Sequence, residues 1–96
     1  MILRPEEVEL EGAWVSEGSE LVEDAVCLRI RYLVENLLEE VAESPHLGAW
    51  EVLYRDPSVG RFWERTFPRG DLHGGGPQRL TVLSRAEAES KYEFGD

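Results

Sequence analysis

The chain has 96 residues, twenty acidic against ten basic, for a formal charge of −10, and 42% of them are hydrophobic. That length supports one two-layer core and is too short for a cofactor domain beside a substrate domain, so a single domain over residues 1–96 is expected. The excess of acid argues against non-specific binding to nucleic acid or anionic membrane and favours basic partners.

The opening MILRPEEVEL lacks a positive region followed by a long apolar run, and no stretch anywhere reaches membrane-spanning length. A soluble cytoplasmic protein is expected. Glu6, Glu7, Glu9 and Glu11 begin an acidic half: residues 1–47 carry twelve acids and three bases, and residues 48–96 carry eight and seven. Gly12, Ala13, Trp14 and Val15 then read as a short strand, ended by the turn formers Glu17, Gly18 and Ser19.

From residue 22 to 43 the pattern becomes helical, because Val26, Ile30, Leu33, Val34, Leu37, Leu38 and Val41 recur at spacings of three and four. One long amphipathic helix is expected there. Glu35, Glu39 and Glu43 would line its outer edge, with Glu40 beside them and Arg31 one turn before Glu35 as a pairing partner. Glu20, Glu23 and Asp24 lie near its start, where the helix dipole favours negative charge. Cys27 is the sole cysteine and falls within the apolar pattern, so it reads as a small buried hydrophobe. Ser44, Pro45 and Gly48 should stop the helix.

Two aromatic-rich runs follow, Trp50-Glu51-Val52-Leu53-Tyr54 and Phe62-Trp63-Glu64-Arg65-Thr66-Phe67. They predict a hairpin. Asp56 can bond the nearby backbone, Pro57 presets the first turn corner, and Gly60 can take the positive φ that closes the loop. Trp50, Val52 and Tyr54 share a face of the first strand, but the second strand has no clean apolar face. Glu64 and Arg65 read as cross-strand partners of Arg55 or Glu51, or as charge offered to a partner. Trp14, Trp50 and Trp63 read as core or core-edge residues, and any one left exposed would be an interface anchor.

Residues 69–77 form a loop with four glycines, Arg79 to Leu83 alternate as a short strand, and Ser84 with Glu87 matches a capping box that opens a short helix over 85–92. The expected fold class is therefore α+β: one long amphipathic helix packed on a small antiparallel sheet with a central aromatic hairpin, and a short C-terminal helix.

Few residues could carry chemistry. His73-Gly74-Gly75-Gly76 has the letters of an esterase oxyanion loop, yet no serine lies in the G-x-S-x-G setting that this chemistry requires. Consecutive glycines can also form an anion-binding nest, or simply serve a loop that needs positive φ. His46, Asp71 and His73 lack the spacing of a zinc site, and Arg69-Gly70-Asp71 is read as a chance match to an adhesion tripeptide. No catalytic residue, cofactor or metal is expected.

The run Trp50-Glu51, Leu53-Tyr54-Arg55-Asp56-Pro57, Gly60-Arg61-Phe62-Trp63-Glu64, Thr66-Phe67-Pro68 and His73-Gly74-Gly75-Gly76-Pro77 resembles the immunity protein 27 family of bacterial polymorphic toxin systems. The opening Leu10 to Val15 and the ending Ala88 to Tyr92 are similar to it as well. In that resemblance Trp50, Tyr54, Asp56, Pro57, Gly60, Trp63, Gly74, Gly75 and Gly76 carry the shape. The resemblance implies a non-enzymatic cytoplasmic protein that binds and neutralises a cognate toxin C-terminal domain. The acidity suits a basic toxin such as a nuclease, and the candidate contacts are Glu35, Glu39, Glu40, Glu43, Glu64 and His73. A homodimer is left open. The alternative is a small ligand-binding or scaffold domain with no toxin partner.

Overall fold

A computed structural model describes residues 3–68 and 76–94. Its strands are β1 (Glu9–Glu11), β2 (Trp14–Glu17), β3 (Glu20–Glu23), β4 (Glu39–Ser44), β5 (Gly48–Asp56), β6 (Arg61–Thr66) and β7 (Arg79–Leu83), with helices α1 (Ala25–Asn36) and α2 (Arg85–Lys91). Five strands make an antiparallel sheet in the order β1-β7-β6-β5-β4, and β2 with β3 forms a separate ribbon. The class is α+β, as expected.

The long helix is not. Asp24 caps α1 by accepting the Cys27 N–H at 2.9 Å, and this bond holds its carboxyl below the ordinary range. Glu20 and Glu23 lie outside the helix, in β3, and Arg31 pairs with Glu23 rather than Glu35. At the other end Leu37 and Leu38 both donate to the Leu33 carbonyl, at 2.9 and 2.8 Å, and the chain leaves the helix. Residues 39–44 then run extended along the outer side of β5, in a register from Glu39 opposite Arg55 to Ser44 opposite Gly48. Without this pairing the nine-residue β5 would expose one whole row of backbone donors and acceptors. The helical spacing persists past Asn36 because the sheet uses the same residues differently: Leu38 joins one core and Val41 packs on another. Ser44 accepts from the His46 and Leu47 N–H groups at 3.1 Å, so it closes a turn between strands instead of ending a helix.

The strand register assigns the faces. Tyr54 lies opposite Trp63, Trp63 opposite Val82, and Leu80 opposite Leu10, so these side chains share one face with Val52. Ile30 and Leu33 of α1 pack on that face. On the other face Leu53 and Phe62, flanked by Ala42 and Leu83, meet Ala88 and Tyr92. The two helices therefore cover opposite sides of the sheet, and β6 is central. That is why residues 62–67 show no clean apolar face: Phe62, Trp63 and Glu64 are all buried.

Between β5 and β6, Asp56 accepts from the Ser58 backbone at 2.9 Å and its hydroxyl at 2.7 Å, and Gly60 takes φ 75°. Arg61 then reaches back to the carbonyls of Pro5 (2.9 Å) and Glu7 (2.8 Å). Glu7 in turn takes both guanidinium nitrogens of Arg29 at 2.7 Å. The segment before β1 is thus strapped to both α1 and β6.

Gly12 is needed for space: a Cβ there would lie 2.3 Å from Cys27 Sγ and 2.9 Å from the Gln78 carbonyl oxygen. Gly12→Ala should cost about 1–3 kcal/mol in urea unfolding through overpacking. A second test uses pH. The Arg29 hydrogen bond, aided by the Arg4 N–H, lowers Glu7 from 4.5 to about 2. A depressed carboxyl stabilises the fold fully above about pH 4.5 and loses that contribution as pH falls towards 2. Glu7→Gln should therefore flatten the loss of stability measured across that window.

Candidate partner-binding surface

Two features of the surface are candidates for a partner contact. The first is the outer edge of the sheet. Glu39, Glu40 and Glu43 are exposed on β4 and Glu35 is exposed on α1, so the expected helical row is divided between a strand and a helix. Glu40 lies opposite Tyr54 and Glu43 opposite Val52, on the face that carries α1. Glu39 lies opposite Arg55, with its carboxylate 4.0 Å away from that guanidinium. Charge along an edge strand also discourages pairing with stray strands.

The second feature is a cavity of about 560 Å³ on the face that α2 covers only in part. Glu51, Glu64, Thr66, Arg79, Thr81 and Lys91 form its polar lining, and Leu47, Trp50, Phe67 and Pro68 complete it. Glu64 is central. Only 8% exposed, it accepts the Tyr92 hydroxyl at 2.6 Å and the Lys91 ammonium at 2.5 Å, while Lys91 also donates to Glu51 at 2.9 Å. Arg55 pairs with Glu39 and not with Glu64, and Glu51 pairs with Lys91 and not with Arg65. Arg65 instead stacks over Tyr54 and Phe67. Burial opposes the Lys91 charge, but hydrogen bonds to Glu64 and Glu51 outweigh it and hold the ammonium above its ordinary value. Burial, reinforced by the Glu64 carboxylate, pushes the Tyr92 phenol well up, so it remains a donor.

Tyr54, Asp56 and Trp63 are buried, and Pro57 and Gly60 make the turn. Trp50 is 51% exposed at the cavity and meets Phe67 edge to face at 5.2 Å. Gly76 takes φ 74°, whereas His73, Gly74 and Gly75 lie outside the described residues. Cys27 is fully buried, donates to the Ala13 carbonyl at 3.6 Å, and has its thiol pushed up by burial. Among the described residues no three His, Cys, Asp or Glu side chains are grouped to hold a metal, and no helix is long and apolar enough to cross a membrane. Lys91, Arg79 and Thr81 were not indicated by sequence reasoning, because each reaches the cavity only through the fold.

A family model described as immunity protein 27 matches residues 16–84. The matched span runs from β2 to the cap of α2 and takes in the acidic edge and most of the cavity wall. No curated protein and no solved structure matches the chain.

Tyr92→Phe should lower stability by about 1.5–3 kcal/mol in urea unfolding, the range for a hydrogen bond to a charged group. Trp50→Ala, at an exposed position, should change it by only about 0.5 kcal/mol.

Proposed function

The chain belongs to the immunity protein 27 family, and on that premise we propose that it acts as one domain that binds and neutralises a cognate toxin domain in the cytoplasm. The family match carries this reading, and its task is binding rather than reaction. The exposed carboxylates of Glu35, Glu39, Glu40 and Glu43 support a basic partner, such as a nuclease toxin that must itself hold polyanionic nucleic acid. An acidic inhibitor presents such a toxin with the charge that its substrate presents. Long-range attraction then accelerates encounter, while shorter contacts determine how long the complex lasts.

The cavity favours a small-ligand reading. Its wall, however, consists of linked ion pairs beside an exposed tryptophan, which equally suits a protein side chain.

Co-expression with the toxin domain encoded beside this gene should restore growth to cells that the toxin alone kills. Association with the purified toxin should slow at least about tenfold between roughly 50 and 500 mM salt, with dissociation changed far less. Replacing Glu35, Glu39, Glu40 and Glu43 together with Gln should slow association by about tenfold at low salt. A toxin that kills equally with and without the protein would remove the reading. Salt-independent association would remove its electrostatic part.

A further inference from the structure

The cavity deepens this reading, because its chemistry selects one kind of side chain. Both of its cations are already matched. Arg79 pairs with Glu9 and Glu11, and Lys91 is shared between Glu51 and Glu64. Two carboxylates against one ammonium leave the Glu51–Lys91–Glu64 group with an excess negative charge. An anion entering here would therefore meet no unmatched cation. Thr66 and Thr81 add hydroxyl groups to the same wall.

At the mouth, Trp50 and Phe67 set two aromatic rings edge to face, with Leu47 and Pro68 beside them. A side chain suited to this opening has an apolar stem, a flat positive head and several hydrogen-bond donors. Guanidinium fits all three conditions. A lysine ammonium is a more strongly hydrated point charge with less to gain from stacking. The chain already makes such contacts internally: Arg61 over Trp63 at 4.9 Å, Arg65 over Phe67 at 5.6 Å and Arg85 over Phe62 at 6.0 Å.

We propose that the cavity between β5, β6, β7 and the end of α2 receives an arginine side chain of the toxin domain, its stem against Trp50 and Phe67 and its guanidinium on Glu51 and Glu64. The toxin as the source of that arginine rests on the immunity reading. The selectivity of the cavity does not.

Two arms test these separately. In the first, the isotopically labelled protein is titrated with acetyl-Gly-Arg-Gly-amide and with its lysine counterpart and followed by NMR. The arginine peptide should shift the Trp50 indole and the Thr66 and Thr81 amides saturably. The lysine peptide should bind at least about fivefold more weakly, and Trp50→Ala or Glu51→Gln should weaken the arginine peptide by a similar factor. No saturable shift, an equal response to lysine, or unaltered binding by both variants would overturn the cavity's selectivity.

In the second arm, Trp50→Ala and Glu51→Gln, each shown by circular dichroism to be folded, should bind the toxin domain at least about tenfold more weakly than the parent. Parental affinity in both would overturn the proposal and leave the immunity reading intact. Failure of the parent protein to protect would overturn the immunity reading and with it the source of the arginine, while the peptide titration still decides what the cavity selects.

Discussion

Everything in this structure depends on β6 being covered on both sides. Trp63 points into the core beneath α1, and Phe62 points into the core beneath α2. The middle of that strand, Phe62 to Glu64, is buried, yet Glu64 carries a charge there, paired across to Thr81 and Leu53. A buried carboxylate is strongly destabilising unless its oxygens are hydrogen bonded and its charge is met. Tyr92 and Lys91 meet both conditions, and both come from the end of α2. The position of the C-terminal helix is therefore tied to one charge in the middle of the sheet.

The two faces are covered unequally, and the proposed binding site lies on the less covered one. α1 has twelve residues and α2 has seven, so the second face is left partly open. The open part is mixed: Leu47, Trp50, Phe67 and Pro68 lie beside the ion pairs that stabilise Glu64 and extend to Glu51. The cavity is thus a by-product of how a buried carboxylate is satisfied. On the proposed binding role, a charged recess next to a half-exposed tryptophan offers a partner a shape to recognise.

Local chemistry was the legible part of the sequence. The strand Arg79–Leu83, the Ser84 and Glu87 capping box, the Asp56 turn, the positive φ at Gly60 and the burial of Cys27 each depend on a few neighbouring residues, and each is found. β4 was misread because its apolar residues continue the helical spacing, and only pairing with β5 decides between helix and strand. β1 and β3 are rich in glutamate and too short to show an alternation. The cavity was hidden for a related reason: Lys91 lies forty residues from Glu51 and twenty-seven from Glu64 in the chain, and nothing local to α2 announces either partner.

The shortness of α2 has a dynamic consequence. A helix of seven residues does not persist alone, so it holds its form only while Ala88 and Tyr92 remain docked. Its detachment would be a small opening that leaves the sheet paired, the kind of local unfolding that occurs well below the free energy of global unfolding. When α2 lifts, Lys91 and Tyr92 leave and the cavity loses a wall. An occupant of the recess would then hold α2 docked and slow exchange of its amides, and a lifted form would lower apparent affinity in proportion to its population.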